Sequence, residues 1–383
     1  MLKSIKISNY KTFIEPTEID FSATNYRFLE SENVSNNKTT KGAIFVGENA
    51  SGKTNILKAI RLIIDILFGV SEINFSYMKS FYTMKKEFEI GYIFDIEDKE
   101  ICYNIIFSER GITDEKLFID NILYLYRHDN SAEVYSDATP VGATNIAENL
   151  PFLRKFYFDT RFNDNAILNK WFTFLKESVY INCYDGHISS GADNVRELLY
   201  DNFLEKNGVK QINDFFKSIG YRQQISYSNE THNKKGFHNT RTTDKFVSFK
   251  KDQTDIEIPI MYESTGNSTL IALLPSFIHA IDKPCMLIID EFSSGFHNEL
   301  EECLLKYFYH FSQNSQIFLA THSTNVLNNA IIRPDQAFAV SFNGMHGTTI
   351  KRFSDESPRE AQNLEKMYLN GVFDGKPYYK KSF

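Results

Sequence analysis

The sequence has few cysteines, and none of them lies close to another. They form no C-x-x-C pair, so their spacing gives neither a zinc motif nor a disulfide framework. Isolated cysteines of this kind are typical of buried thiols in a reducing cytoplasm, and we expect a cytoplasmic protein. The four are Cys102, Cys183, Cys285 and Cys303.

A long apolar run is also missing. The most apolar helical stretch, residues 56–68, is interrupted by Lys58, Arg61 and Asp65 and is too short to span a bilayer. The first residues alternate between polar and apolar side chains and lack the apolar core of a signal sequence. We therefore expect no membrane partner.

The chain carries no excess of positive charge. Its formal net charge is −7 at pH 7, so the protein as a whole does not attract nucleic acid electrostatically. Any contact with nucleic acid would need a local basic patch. One polar stretch, residues 228–245, could be such a patch, but we interpret it as a solvated loop at the tip of a hairpin. Nucleic acid stays open as a partner. The basic residues of this stretch are Lys234, Lys235, Arg241 and Lys245.

What the sequence does contain is a phosphate-binding motif. Gly47-x-x-x-x-Gly52-Lys53-Thr54 follows a short apolar strand and precedes an apolar helix, the context that a P-loop requires. In such a loop, backbone N–H groups and the helix N-terminus surround phosphate oxygens, Lys53 reaches the β- and γ-phosphates, and the Thr54 hydroxyl ligates Mg²⁺. The predicted cofactors are ATP and Mg²⁺. The predicted nucleotide-binding residues are Gly47, Glu48, Asn49, Ala50, Ser51, Gly52, Lys53, Thr54 and Asn55.

Two carboxylates end a second apolar run. Residues 285–289 are continuously apolar, as in parallel strands that are covered on both faces, and Asp290 and Glu291 follow them. We predict that Asp290 holds Mg²⁺ together with Thr54, and that Glu291 orients the attacking water. Because both strands would end at the same edge of one sheet, these carboxylates would meet the P-loop.

A third apolar run, residues 317–320, follows Gln316 and ends in Thr321-His322-Ser323. A lone histidine at a strand end is more often structural. With the other motifs in this order, we predict that His322 reaches the γ-phosphate. The predicted catalytic residues are Lys53, Glu291 and His322.

The periodicity predicts an α/β fold with a mixed central sheet. Residues 88–135 alternate between polar and apolar side chains as in an antiparallel meander, residues 150–220 have a helical pattern, and residues 221–258 suggest a hairpin. The polar stretch 23–41 is expected to be a mobile loop, and the last helix to start at a capping box, residues 357–360. The predicted parts are residues 1–135, an ATPase lobe with the P-loop; residues 136–256, a mainly helical insertion; and residues 257–383, a second ATPase lobe.

The order of these motifs resembles the head domain of ABC-class ATPases. Between the P-loop and Asp290 lies Ser264-Thr-Gly-Asn-Ser, which is similar to their signature loop. The opening residues, 5–13, look like the start of the RecF/SMC branch. Residues 321–327, 333–336 and 368–373 resemble the stand-alone bacterial ATPases of the AbiL and OLD-like type, many of them in phage-defence systems. The resemblance covers residues 1–68 and 257–375 and implies an ABC-type P-loop ATPase head.

This resemblance implies a site shared between two chains. In such ATPases the signature loop of one subunit presses on the γ-phosphate that the other subunit binds, so Ser264 and Gly266 would act in trans. One chain has one P-loop and one signature loop, and a complete site then needs a head-to-tail homodimer. The expected partners are a second copy of the chain and a separately encoded effector.

Three departures from the family pattern concern hydrolysis. Thr265 and Asn267 stand where transporters favour glycine and glutamine, and no Q-loop glutamine can be placed because the first glutamine is Gln211. Residues 293–297 lack the usual D-loop aspartate. These departures leave ATP binding intact and leave the hydrolysis rate open.

Two functions remain open at this point. The first is an ATPase whose nucleotide-driven dimerisation controls an effector in phage defence; the second is a RecF/SMC-like DNA-repair or DNA-tethering ATPase. The negative net charge and the lack of a long coiled coil favour the first. A nuclease of the OLD type is disfavoured, because residues 323–383 are too few for a Toprim domain and His232 and His238 do not have the spacing of a metal site.

Overall fold

The computed structural model describes residues 1–69, 73–135, 141–191, 195–232, 242–251, 254, 256–293 and 295–376. The strands are β1 (Leu2–Ser8), β2 (Thr17–Asp20), β3 (Gly42–Gly47), β4 (Phe88–Ile96), β5 (Lys99–Phe107), β6 (Ile112–Ile119), β7 (Ile122–His128), β8 (Ser131–Val134), β9 (Val141–Thr144), β10 (Val179–Asn182), β11 (Ile188–Ser190), β12 (Gln223–His232), β13 (Thr242–Lys251), β14 (Glu257–Pro259), β15 (Met286–Asp290), β16 (Gln316–Thr321), β17 (Ala337–Phe342) and β18 (Thr348–Arg352). The α-helices are α1 (Glu30–Asn33), α2 (Lys53–Phe68), α3 (Phe152–Thr160), α4 (Ala166–Glu177), α5 (Tyr200–Asn207), α6 (Lys210–Ser218), α7 (Thr265–Asp282), α8 (Asn298–Phe311) and α9 (Leu364–Leu369). Within the described ranges, none of the helices is both long and apolar enough to cross a membrane.

The P-loop strand β3 lies inside a seven-stranded sheet with the order β11-β10-β15-β16-β3-β17-β18. The strands from β10 to β17 run parallel, and the two edge strands run antiparallel to their neighbours. Every residue of β3, β15 and β16 is buried, which explains their continuous apolar runs. This arrangement brings Gly47, Asp290 and Thr321 to the same edge of the sheet.

Successive residues of β3 face different cores. Phe45 packs in the core between the central sheet and the antiparallel sheet, which also contains the apolar face of α2. Ile44 and Val46 point to the opposite core, with Leu270 of α7 and Leu304 of α8. The central sheet is therefore covered on both faces, and only its edges reach solvent.

The meander forms an eight-stranded antiparallel sheet with the order β2-β1-β4-β5-β6-β7-β8-β9. Its buried face packs on α2 and α4: the Tyr92 hydroxyl donates to the Ala59 carbonyl at 2.7 Å, and Trp171 contacts the rings of Phe94 and Tyr103. The predicted α/β fold with a mixed central sheet and an antiparallel meander is confirmed.

The segment predicted as a helical insertion contributes two strands to the central sheet. β10 pairs in parallel with β15, and β11 pairs with β10. The sequence pattern gave only helices here, because a four-residue strand is too short to show a period. The predicted hairpin is present as β12 and β13; its tip, residues 233–241 with Lys234, Lys235 and Arg241, lies outside the described residues. The three-part division of the chain stays a prediction.

The polar stretch 23–41 is anchored, so the expectation of a mobile loop is wrong. Arg333, which is fully buried, donates to the carbonyls of Tyr26 at 2.8 Å and Thr24 at 3.1 Å. Asp335 accepts from the Thr24 N–H and hydroxyl, and the Asn33 amide donates to the Ile331 carbonyl at 2.7 Å. Hydrogen bonds to residues 331–335 therefore hold this stretch in place, although several of its polar side chains, such as Asn25 and Arg27, are exposed.

The last helix begins later than the predicted capping box. Ser357 has a left-handed backbone with φ 47°, and α9 starts after Asn363, whose side chain accepts a hydrogen bond from the Lys366 N–H at 2.7 Å. Asn363 supplies the same capping chemistry that was expected of Ser357. Gly371, with φ 81°, follows the helix end.

Candidate nucleotide-binding site

Gly47 and Gly52 bracket the P-loop, and the backbone requires glycine at both positions. Gly52 caps α2 with φ 114°, and a Cβ there would lie 2.3 Å from the Thr348 hydroxyl oxygen. A Cβ on Gly47 would lie 2.1 Å from the Val340 carbonyl oxygen of the neighbouring strand. The two glycines thus allow β17 and β18 to pack directly against the loop, in addition to leaving its N–H groups accessible.

Lys53 folds back over the loop. Its ammonium group donates to the Gly47 carbonyl at 3.0 Å and the Glu48 carbonyl at 2.8 Å, and the side chain is buried. Burial lowers the pKa of Lys53 to about 8, although the charges of Glu291, Asp290 and Glu48 oppose the shift. The loop therefore surrounds a cation, as phosphate binding requires.

Two other loop residues bear on whether a triphosphate fits. The Ser51 hydroxyl is buried and has no hydrogen-bond partner among the described residues. An unpartnered polar atom inside a phosphate-type loop fits a site completed by an anion. Ala50, next to it, has a left-handed backbone with φ 61° and is exposed together with Asn49.

Asn55 supports the loop from outside. Its amide donates to the Thr12 hydroxyl at 2.9 Å, and the Thr348 hydroxyl donates to the same Thr12 oxygen at 2.8 Å. Thr348 also lies 2.8 Å from the Ser51 carbonyl oxygen. The Asn55 side chain is thus hydrogen-bonded to the β1–β2 connection.

Asp290 lies directly beside the P-loop helix. The Thr54 hydroxyl donates to Asp290 Oδ1 at 3.2 Å, and the Tyr180 hydroxyl lies 3.4 Å from Asp290 Oδ2. Burial raises the pKa of Asp290, the hydrogen bond from Thr54 opposes the shift, and the charge of Glu291 adds to it. A hydroxyl and a carboxylate in contact form the kind of oxygen-donor pair that Mg²⁺ prefers, so the residues present fit this ion.

Glu291 and His322 face each other at the same edge of the sheet. Glu291 Oε2 lies 4.0 Å from His322 Nε2, and the side chains are 37% and 38% exposed. Glu291 has a left-handed backbone with φ 56°, so its side chain points in a different direction from that of the buried Asp290. Burial, with the nearby charge of Lys53, lowers the pKa of His322, while Glu291 and Asp290 oppose the shift. The His322 imidazole thus faces a solvent-accessible carboxylate.

The structure does not bring Ser264 and Gly266 to the P-loop of the same chain. Ser264 caps α7, where its hydroxyl accepts from the Asn267 N–H at 3.3 Å. A Cβ on Gly266 would lie 2.3 Å from the Gly295 carbonyl oxygen, so the signature loop packs on the segment that follows Glu291. Between described residues, no hydrogen bond joins this loop to residues 47–55.

The sequence analysis missed Tyr180. The Arg61 guanidinium lies 4.5 Å from the centre of the Tyr180 ring and forms an ion pair with Asp65 at 2.9 Å. The signal was present but short: residues 179–181 are apolar and precede a polar residue, as in β15. Asn182, at the end of β10, lies in register with Asp290 and provides an amide side chain at this edge.

Comparison with known proteins identifies the family. The family described as "AAA domain, putative AbiEii toxin, Type IV TA system" matches residues 43–328, a segment that contains the P-loop, Asp290 and His322. The chain belongs to this family. The description names an AAA domain, which agrees with the P-loop geometry. A search of the curated proteins found no match.

Solved structures with a similar fold come from SMC proteins. The SMC head domain from Thermotoga maritima has 14% identity and a TM-score of 0.49, over 92% of this chain and 98% of that chain. An Smc head bound to the C-winged helix domain of ScpA has 14% identity and a TM-score of 0.49, over 93% and 99%. An Smc head with an extended coiled coil, bound to the C-terminal domain of ScpA derived from Pyrococcus furiosus, has 11% identity and a TM-score of 0.46, over 93% and 97%.

Proposed function

We propose that this protein binds and hydrolyses ATP in a head-to-tail homodimer and uses the cycle to control a separately encoded effector. The observation that carries the proposal is the convergence of Lys53, Thr54, Asp290, Glu291 and His322 at one edge of the central sheet. These residues come from the start of one helix and from the ends of two separate strands. Their shared position has a simple explanation if all of them act on one triphosphate.

Each of these residues has a defined role in the proposal. The loop from Gly47 to Asn55 surrounds the phosphates, and Lys53 balances the charge of the β- and γ-phosphates. Thr54 and Asp290 would hold Mg²⁺, which supplies charge neutralisation when it is bound. Glu291 orients and polarises the attacking water. His322, kept neutral by its surroundings, donates a hydrogen bond on the γ-phosphate side.

The homodimer is supported by the position of the signature loop, which is not hydrogen-bonded to the P-loop of its own chain within the described residues. Ser264 and Gly266 have no partner in the P-loop of their own chain, and the residues just before them expose apolar side chains: Met261 is 71% exposed and Tyr262 77%. Exposed apolar groups beside an incomplete site are typical of an interface. A second copy would cover them and place Ser264 against the first copy's nucleotide.

Effector control is supported by the family description. It names a putative AbiEii toxin in a type IV toxin–antitoxin system, which is compatible with a regulatory ATPase in bacterial phage defence. The closer assignment to the AbiL and OLD-like branch, the cytoplasmic location and the effector itself stay predictions from the sequence. The DNA-repair or DNA-tethering function remains the alternative.

The test is nucleotide-dependent dimerisation. Glu291→Gln should bind ATP but not hydrolyse it, and with Mg²⁺ and ATP its mass by light scattering should double. Lys53→Ala, the matched control, should stay monomeric because it cannot retain the triphosphate. If Glu291→Gln binds a fluorescent ATP analogue and still scatters as a monomer, the head-to-tail dimer is wrong.

A further inference from the structure

A second cationic site lies away from the P-loop, in the segment between α6 and β14. It is a cavity of about 380 Å³ that we call the basic pocket, and its cationic residues are Lys217, Arg222, Lys250 and Lys251. Lys217 lies at the C-terminal end of α6, Arg222 in the following loop, and the two other lysines in β13. The pairing of β12 with β13 places Lys251 opposite Gln223, next to Arg222.

Three cations of the basic pocket, Lys217, Arg222 and Lys251, have no anionic partner among the described residues. No Asp or Glu belongs to its described lining, and Asp252 and Asp255 lie outside the described residues. The side chains of these three cations are not in an ion pair with any described residue, and all three line the same cavity. Several cations in one concavity repel one another, and a bound anion removes that cost.

The remaining wall of the pocket is polar and fixed in place. The Asn213 amide donates to the Ile225 carbonyl at 2.9 Å and accepts from the Ile225 N–H at 2.8 Å, which holds β12 against α6. The Tyr221 ring packs on Phe216 with a centroid distance of 4.8 Å. Hydrogen bonds and ring packing therefore fix the wall of the pocket, and the cations line the same cavity.

Two pocket residues are hydrogen-bonded to the signature helix. The Tyr221 hydroxyl donates to Asn267 Oδ1, and the Asn267 amide donates to Gln223 Oε1 at 3.1 Å and to Glu263 Oε2 at 2.7 Å. Asn267 is buried in the first turn of α7, next to Gly266. A change at Tyr221 or Gln223 therefore reaches the signature loop through one side chain.

We propose that the basic pocket binds the phosphate groups of a second ligand, separate from the nucleotide at the P-loop, and that Asn267 transmits its occupancy to Ser264 and Gly266. The guanidinium fork of Arg222 and the point charges of the lysines match clustered phosphate oxygens. Such groups come either from a free polyphosphorylated small ligand or from the backbone of a nucleic-acid strand. The transmission step rests on the proposed ATPase function; the binding step does not.

Binding is tested with the full chain while a non-hydrolysable ATP analogue and Mg²⁺ saturate the P-loop. The probes are a fluorescent single-stranded DNA of about 12 nucleotides, followed by anisotropy, and inorganic tripolyphosphate as its competitor. The pocket variant is Lys217→Gln/Arg222→Gln/Lys251→Gln. Its control, Lys155→Gln/Arg359→Gln/Lys366→Gln, removes the same charge from exposed positions elsewhere.

The pocket variant should bind the strand at least about tenfold more weakly than the control, and the slope of log affinity against log salt should fall by about 2. If tripolyphosphate displaces the strand, a free polyphosphate is a sufficient ligand for the pocket. If the strand binds and tripolyphosphate does not displace it, the ligand is the backbone of a nucleic-acid strand. Equal binding by the pocket variant and the control, or no binding of either probe to the wild type, overturns the proposal.

Transmission is tested with Tyr221→Phe, which keeps the ring and all four cations but removes the hydroxyl that donates to Asn267. This variant should bind the probe like the wild type, yet the probe should no longer change its ATPase rate, as it does in the wild type. An equal response in both proteins overturns the transmission step. If neither protein hydrolyses ATP, the proposed function fails, and the binding result stands on its own.

Discussion

The Thr54 hydroxyl contacts the Asp290 carboxylate at 3.2 Å, although the two residues are 236 positions apart. The contact joins the first turn of the P-loop helix to the end of β15. It leaves one hydroxyl and one carboxylate together beside the phosphate-binding loop, with Asp290 buried. The first prediction depends on this pair.

Thr54→Ala should reduce the increase in ATP affinity that Mg²⁺ causes. If Thr54 and Asp290 hold the ion, ATP affinity measured with Mg²⁺ should fall by about 10–100-fold, while affinity measured in EDTA changes little. Isothermal titration under both conditions checks this. Thr54→Ser, which keeps the hydroxyl, is the control; a loss of the same size in Thr54→Ser would show that the methyl group and packing matter, and not ligation.

Tyr180→Phe should weaken Mg²⁺ binding by less than Thr54→Ala does. The substitution removes the hydroxyl 3.4 Å from Asp290 Oδ2 but keeps the ring that stacks under Arg61. We expect a several-fold rise in the Mg²⁺ concentration needed for half-maximal binding of an ATP analogue, with an unchanged melting temperature. A drop in melting temperature without a shift in the Mg²⁺ titration would mean that Tyr180 only packs.

ATP affinity should fall as the pH rises through about 8, because burial lowers the pKa of Lys53 to about 8. Below this pH the ammonium is charged and attracts phosphate; above it, the charge is lost. Between pH 8 and pH 9 the affinity should fall by up to about tenfold. Fluorescent-analogue titrations across this range measure it, with Lys53→Arg as a control that stays charged and should give a flat profile.

His322→Gln should still bind ATP and should hydrolyse it about 10²–10⁴-fold more slowly, because the imidazole faces Glu291, the residue proposed to orient the attacking water. Single-turnover hydrolysis and an equilibrium binding assay separate the two effects. His310→Gln, at an exposed position on α8, is the control. Wild-type turnover in His322→Gln would remove His322 from the catalytic set.

Asp335→Asn should destabilise the fold by about 3–5 kcal/mol, because it breaks a fully buried pair with Arg333. Chemical denaturation measures this loss. The exposed pair of Lys351 with Asp374 provides the control: Asp374→Asn should change the free energy of unfolding by less than about 1 kcal/mol. Similar losses of stability in both variants would show that burial does not decide how much an ion pair contributes to stability.

The same carboxylate gives a pH dependence of stability. Burial alone would raise the pKa of Asp335, but the hydrogen bonds and charge of Arg333, with the bonds from Thr24, outweigh it and lower the pKa below the ordinary 3.8. Its contribution is therefore present above pH 3.8 and is lost as the pH falls further. Asp335→Asn should lack this part of the acid-induced loss of stability. If the free energy of unfolding falls with pH in the same way in the wild type and in Asp335→Asn, this role of Asp335 is wrong.

The sequence by itself determined the chemistry at the sheet edge. The P-loop depends on glycine, lysine and threonine at adjacent positions of one loop, and Asp290 and His322 follow apolar runs that only buried parallel strands require. These signals are local, so no knowledge of distant contacts was needed to predict that Lys53, Asp290 and His322 converge.

Only the tertiary structure decided which polar residues become partners across the chain. Tyr180 reaches Asp290 because β10 pairs with β15, and Arg333 anchors the stretch 23–41 from the far end of the sequence. Likewise, Tyr221 meets Asn267 because α6 and α7 share one core. A buried polar side chain needs a partner, but periodicity records only which face of an element is buried, and not which distant donor or acceptor will meet it.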